Sequence, residues 1–418
     1  MFSLQNIRIG FYLAIRQLRR SSLWTTALIV SVMLLTFLNL VVVTGILVGL
    51  VIGINNAYRT QYTGDVIISS LETKNYVENS PSIITLLRSM PQVEIATPRY
   101  ITAGIVEADY KTRTGENDKT DTASAQVAGI DPVVENSFSN LSSFIIDGEY
   151  LSPNDYDQVL VGSQLLKQYS FGEQPGLGLL DNVSVGDKVR LTMGDIEREV
   201  TVKGVLDSKV AELSLRVYMT DKQLRGLIGR TDHNVSEIAV KLKSGTDPIA
   251  FRDLLLRSDI ARFAKVQTFE ESIPQGVADI TSTFAMLGNM ISSVGLVVAS
   301  ITIFIVIFIN ALTRRKFIGI LKGIGIDGRA IEISYMFQSL FYAVVGSAIG
   351  LLVLYGFLVP FIAAHPIDFP FSDGILVAPV PGTMIRIGLL VLATIIAGYI
   401  PARMIVKKNT LDSILGRN

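Results

Sequence analysis

Stretches without Asp, Glu, Lys or Arg punctuate this chain unevenly: Ser21–Tyr58 near the amino end, then Ile280–Thr313, Ile333–Ile367 and Ile387–Ala402. A charge-poor apolar run of about 18 residues or more reads as a helix able to cross a bilayer. The pattern predicts an integral membrane protein with one span, a long polar stretch and three further spans. Within the polar stretch, Asp65–Ser70 and Arg99–Glu107 read as strands around a helix at Pro81–Met90. Far downstream, Ser236–Leu242 and Ala264–Gln267 read as strands around a helix at Asp247–Arg257. Two βαβ units so separated fit a ferredoxin-like split unit. The residues between them, opened by the polar stretch Lys111–Ala123, then form an inserted subdomain; its probable strands Gln158–Gly162, Asp187–Met193 and Glu197–Asp207 make it β-rich. The expected fold class is an α-helical membrane protein with four transmembrane helices plus an α+β extracytoplasmic domain.

Two spans are longer than a bilayer requires. The first charge-free run holds 38 residues, which as a helix reaches roughly 57 Å against a hydrocarbon core of roughly 30 Å. Ile280–Thr313 is similarly overlong, so both helices are expected to continue above the membrane as a stalk. Ahead of the first span, Ile7, Phe11, Ile15 and Leu18 share one helical stripe while Arg8, Arg16, Arg19 and Arg20 lie largely elsewhere. Such a segment lies in the membrane interface and turns into the span. The run is far longer than a signal-peptide core, so it reads as an uncleaved anchor.

Charge orients the spans. Net charge is formally zero, yet between Arg59 and Asp279 there are 23 basic and 32 acidic residues, against 14 and 5 in the remainder. Short loops rich in Lys and Arg stay cytoplasmic. Arg8, Arg16, Arg19 and Arg20, then Arg314, Arg315, Lys316, Lys322 and Arg329, then Arg403, Lys407, Lys408 and Arg417 mark three inner segments. The acidic domain and the loop around His365–Gly382, with Asp368 and Asp373, fall outside. The expected location is the cell membrane, with both termini cytoplasmic.

Enzyme chemistry leaves no trace in these residues. There is no cysteine, hence no disulfide, thiol nucleophile or zinc-thiolate site. No Gly-Lys pair occurs, so there is no phosphate-binding P-loop; the two histidines, His233 and His365, form no HExxH, and no GxSxG elbow is present. Paired carboxylates such as Glu270 and Glu271 read as a solvated acidic face. The central parts of the spans carry no ionisable residue of the kind an ion-driven carrier keeps; Arg386 sits near a span end, where it can snorkel. Glycines at four-residue spacing, Gly45, Gly49 and Gly53 in the first span and Gly346 and Gly350 in the third, allow close helix packing, either with another subunit or within the chain.

The loop after the second span is basic and short, with Ile318, Leu321 and Ile324 near one helical face. A helix there, along the inner surface, could pass a push to the adjoining spans. Its sequence RRKFIGILKGIGIDGRAI, followed by FQSLFYAVVGSAIGLLV, resembles the inner loop and third span of the MacB/FtsX/LolC-type permease subunits of ABC transporters, and YIPARMIVKKNTLDSIL resembles their C-terminal signature. VAGIDPVVENSFSNLSSFIIDGEYL, VLVGSQLL and VGDKVRLT with VTVKGVLD are similar to the family's extracytoplasmic core, the Ile130–Pro132 stretch with Glu135 closest to the lipoprotein-releasing LolC/LolE branch. Phe317 stands where the family commonly has Glu, so no ion pair to an ATPase is carried over at that position; Thr410, after Asn409, stands where Pro often follows.

The resemblance implies a permease dimer, of identical or homologous subunits, bound to two copies of a separate ATPase that holds ATP and Mg. Its ATP-driven movement would act on an extracytoplasmic lipoprotein, lipid, peptide or drug. This chain would hold no cofactor and catalyse nothing. Arg314, Arg315, Lys316, Ile318, Gly319, Leu321, Lys322 and Gly325 would form the helix coupled to the ATPase. Expected partners are that ATPase, a second permease, an extracytoplasmic adaptor or substrate protein and membrane lipid, with no nucleic acid. The alternatives are an FtsX-like regulator that activates a cell-wall hydrolase and an ATPase-independent receptor. The expected division is 1–20 interfacial helix, 21–58 first span and stalk, 59–279 outer domain (65–110 with 232–270 porter-like, 124–230 inserted), 280–312 stalk and second span, 313–331 coupling helix, 332–358 third span, 359–382 outer loop, 383–403 fourth span and 404–418 cytoplasmic tail.

Overall fold

The computed structural model describes residues 3–111, 121–170, 178–181, 183–365, 367–369, 372–373 and 376–407. Most of the polar stretch after Lys111 and the tail residues Lys408, Asn409, Thr410 and Arg417 lie outside the described residues. The chain forms two compact units, Met1–Gly53 with Asp279–Asn418, and Ile54–Ala278. It begins with α1 (Leu4–Arg19) and α2 (Leu23–Ala57), the latter followed by a π-helical turn at Tyr58–Thr63.

The polar unit is a ten-stranded sheet with helices on it. Its first part runs β1 (Val66–Ser70), α3 (Ser80–Ser89), β2 (Val93–Ala108), β3 (Asp121–Ile130), α4 (Pro132–Ser139), β4 (Ile145–Gly148) and β5 (Gln158–Gly162). The chain continues through β6 (Lys188–Met193), β7 (Ile196–Leu206), α5 (Ala211–Ser214), β8 (Arg216–Thr220) and α6 (Asp221–Ile228). It closes with β9 (Glu237–Leu242), α7 (Pro248–Leu256), β10 (Ala264–Thr268) and α8 (Phe269–Ser272). Strands β10-β1-β9-β2 are adjacent in that order and antiparallel throughout. This is the split βαβ arrangement expected from the two separated pattern units, and α3 and α7 close a core of Ile68, Leu87, Ile238 and Leu255 over it.

Strand β2 is longer than the expected Arg99–Glu107 because it belongs to two cores. Val93–Arg99 pairs with β9, while Tyr100–Ala108 pairs with β3. Pro98 is tolerated inside this strand because β3 joins only from Tyr100 onward, so the strand there lacks a second neighbour to feed. The inserted part packs β3, β5, β6, β7 and β8 around Val127, Val161, Leu191, Val202 and Met219. Two of the unit's helices start with the same device. Asp131 before Pro132 and Asp247 before Pro248 each accept from amides of the first turn, and proline fills a position whose N–H would be unbonded.

The other unit holds α1, most of α2 and, from Asp279 onward, α9 (Gln275–Thr313), followed by α10 (Arg315–Gly323), α11 (Gly328–Val353), α12 (Val359–Ala364) and α13 (Val380–Val406). Among the described residues four helical runs are long and apolar enough to cross a membrane: Leu23–Thr63, Gln275–Thr313, Gly328–Ala364 and Val380–Val406. The third passes through a π-turn at Leu354–Leu358 just before Pro360, whose missing N–H interrupts the regular ladder. Gly346 and Gly350 are occupied by this chain's own first span: a Cβ at Gly350 would lie 2.2 Å from Phe37 Cδ1, and one at Gly346 2.5 Å from Met33 Cβ. Gly45 backs onto Leu376 and Val377; Gly49 is buried and Gly53 half-buried. Thr44 and Ser292 share a 2.8 Å hydrogen bond between α2 and α9, where Gly288 meets Thr44 and Leu47.

Candidate functional site

The basic link between the second and third long helices is a nine-residue helix, shorter than the expected 313–331. It stops because Gly325, at φ +91°, takes a conformation that side chains disfavour. The amide of Ile326 then bonds to the carbonyl of Leu321 (3.0 Å) and that of Gly325 to Lys322 (3.0 Å), the two bonds of a Schellman ending. Asp327 starts α11 at once: its carboxylate accepts from the Arg329 amide (3.1 Å) and from Asn6 Nδ2 of α1 (2.8 Å). Those two donors, the backbone amide first, hold the Asp327 carboxyl below the usual range.

Helix α10 has two contrasting sides. Ile318, Gly319 and Leu321 are buried, the two larger side chains in a cluster with Leu13, Tyr335, Ile405 and Val406. Lys322 Nζ donates to the carbonyl of Val406 at 2.9 Å, tying the helix to the end of α13. Arg314 and Arg315 are half-buried, and Lys316 and Gly325 are exposed. Three large apolar side chains also face outward: Phe317, Ile320 and Ile324 are 47%, 51% and 70% exposed. Of the eight residues expected to couple, Ile318, Gly319 and Leu321 therefore brace the helix from behind. Phe317, Ile320 and Ile324 all stand outside that set, and Ile324, expected on one face with Ile318 and Leu321, is exposed where those two are buried. A helical wheel drawn on Phe317 instead of Ile318 would have found all three.

The polar unit has a buried ionic cluster. Arg99 makes a bidentate pair with Glu135 (2.9 and 2.7 Å), and its remaining nitrogen donates to the carbonyl of Tyr62 (2.7 Å) and to Glu237 (3.2 Å). Arg216 donates to the Tyr62 hydroxyl (3.1 Å) and Gln126 (3.0 Å) and approaches Glu237 at 3.4 Å. Arg99 and Glu135 are each 1% exposed at the side chain. Burial opposes charge on Arg99, but Glu135 and then Glu237 outweigh it and raise its pKa above the ordinary value. Burial likewise opposes charge on Glu237, and Arg216 with Arg99 outweighs it, holding the carboxyl below its usual range.

This cluster, with three neighbouring contacts, pins the π-turn after α2. Tyr58 donates to Glu212, Ser208 to Gln61 (2.7 Å), and Arg59 to Asp65 (2.5 Å). Beside the cluster is a cavity of about 580 Å³, with apolar walls from Ala103, Ile105 and Leu215 and polar groups from Gln126, Thr192 and Arg216. Among the described residues no three acidic or histidine side chains are grouped to hold a metal ion.

Comparison with known proteins covers both units. Residues 26–257 match the family model of the MacB-like periplasmic core domain, and residues 289–410 match that of the FtsX-like permease C-terminal region. The chain is 23% identical over 340 residues to the macrolide export ATP-binding/permease protein MacB of Acinetobacter baylyi, an alignment covering 79% of this chain and 47% of that protein. It thus spans about half the length of that relative. Among solved structures, it is similar to the periplasmic region of MacB from Actinobacillus actinomycetemcomitans, with 18% identity and TM-score 0.35 over 53% of this chain and 95% of that one. The extracellular domain of the noncanonic ABC-type transporter YknZ from Gram-positive bacteria gives 16% identity and TM-score 0.31, over 49% and 98%.

Proposed function

This chain belongs to the MacB-like family of ABC transporter permeases, and on that premise we propose that it converts ATP-driven movement of a separate ATPase subunit into work on an extracytoplasmic substrate. Helix α10 carries the reading. A short basic helix braced from behind and showing Phe317, Ile320 and Ile324 in front has the apolar centre and cationic rim of a docking surface. The ATPase, with its ATP and Mg²⁺, pushes on this surface from the cytoplasm. The push passes through the Schellman turn into α11 and through the end of α9 into the second span. Helices α2 and α9 each have one end in the polar unit, and they carry the movement outward.

In this scheme two such permeases, identical or homologous, face a pair of ATPases, both termini are cytoplasmic and the polar unit is extracytoplasmic. The experiment is co-purification with the ATPase in mild detergent and assay of ATP hydrolysis after reconstitution. Phe317→Asp with Ile320→Asp removes the apolar centre and is expected to lower ATPase recovery about tenfold or more, a loss in the range of one anchor side chain. Unchanged recovery and unchanged substrate-stimulated hydrolysis would overturn the assignment of α10. Charge reversal at Arg314 and Arg315 is expected to slow association while leaving the polar unit folded.

A further inference from the structure

Helix α1 docks through a mixed face of two amides and small or apolar residues. Its buried face carries Asn6, Gly10, Leu13, Ala14 and Gln17. Asn6 donates to Asp327, and the Gln338 amide donates to Gln17. Gly10 admits α11 so closely that a Cβ there would lie 2.7 Å from Ile333 Cγ2. The apolar stripe looks largely the other way: Leu4, Ile7, Phe11 and Ile15 are all exposed, with Phe11 touching α11, its ring edge-on to Phe337 at 5.3 Å between centroids. At about 100° per residue these four fall within an arc of about 80°. Arg8 and Arg19 adjoin one edge of that arc and Arg16 and Arg20 lie further round, all four exposed. No carboxylate on α1 or α2 answers them, because the first acidic residue of the chain is Asp65.

We propose that α1 is a binding site for anionic phospholipid, with the Leu4–Ile7–Phe11–Ile15 stripe among the acyl chains and Arg8 and Arg19 on the headgroup phosphates. The three-way division of the helix surface carries the assignment. A stripe seated against protein would leave no apolar face outward, and a helix in water would have no use for one. With one face bonded to α11, one apolar and one cationic, the helix matches the boundary between acyl chains and anionic headgroups. The inference rests on the chain spanning a membrane and is independent of the ATPase reading.

Trp24 provides the probe, being the only tryptophan of the chain and 87% exposed at the start of α2. The bond from Ser21 Oγ to the Leu18 carbonyl (2.8 Å) fixes the turn that places it just after the arginines. The full chain is reconstituted twice, with brominated phosphatidylglycerol in plain phosphatidylcholine and with brominated phosphatidylcholine in plain phosphatidylglycerol, at one mole fraction of bromolipid. Quenching of Trp24 by the anionic bromolipid is expected to exceed that by the zwitterionic one about twofold or more. The preference is expected to fall away at about 1 M salt, where screening acts within about 3 Å. R8Q with R19Q is expected to abolish it and R8K with R19K to retain it, while Arg16 and Arg20 remain to orient the span. Equal quenching in the unaltered protein would overturn the proposal without recourse to any variant. So would a Trp24 shielded from both lipids, the result expected if protein covers the stripe, or a preference that survives R8Q with R19Q.

Discussion

Arg99 is the residue on which most of the buried charge in the polar unit depends. Removing it strands Glu135 at 1% exposure and takes one of two cations from Glu237. Losing one member of a buried ion pair costs about 3–5 kcal/mol, because the surviving charge has no water to return to. Arg99→Leu is therefore expected to lower stability of the polar unit by that amount, read as a shift of its denaturant midpoint in detergent with the helical signal of the spans retained. An unchanged midpoint would mean that the cluster is not desolvated as described. Glu237 adds a pH dependence of definite sign. Its folded pKa is depressed, so its contribution is present above the unfolded value of about 4.3 and is lost as pH falls through the folded pKa. Unfolding from about pH 5 downward should show stability falling with pH, and Glu237→Gln should flatten that slope; equal slopes would exclude it. In the sequence Arg99 was legible only as the first residue of a strand. Its partners are Glu135, on a helix of the insert, and Glu237, beyond the insert's end, and periodicity does not report pairings over such separations.

Elements whose own residues decide their form were readable, and elements formed by neighbours were not. The β1–α3 and β9–α7–β10 segments alternate or cycle as a half-buried strand or helix must, and the sequence placed them within a few residues of their observed bounds. Strand β3, with the composition DTASAQVAGI, has few β-formers. It exists because β2 and β8 hydrogen-bond to it on both sides, antiparallel and parallel respectively. Context overrides propensity in such a strand. The inner helix fell between these cases. Its basic and apolar content was plain, but its length depended on Gly325 and on Asp327 capping α11. The expected helix runs through both, and the exposed Phe317 and Ile320 stand outside the expected coupling set.

At the scale of the whole molecule the overlong helices matter most, since the transmission proposed from α10 outward needs something stiff. Helix α2 holds 35 residues and α9 holds 39, lengths of about 52 and 58 Å against a hydrocarbon core of about 30 Å. On the proposed reading about 15 residues of α2 and about 19 of α9 therefore stay helical without lipid around them. In that region their support is the Thr44–Ser292 bond, the close approach at Gly288 and, for α2, the π-turn locked by Arg99 and Glu212. Amide exchange in lipid nanodiscs tests this directly. Protection along α2 is expected to continue through Ala57 at the level of the buried span, with no fast-exchanging gap between Gly45 and Ala57. Ile52→Pro removes a helical hydrogen bond at a cost of about 3 kcal/mol and should open such a gap. It should leave ATP hydrolysis by the partner intact while abolishing its response to extracytoplasmic substrate. A gap already present in the unaltered protein, or a substrate response that survives the proline, would show that α2 is a tether rather than the element that transmits force.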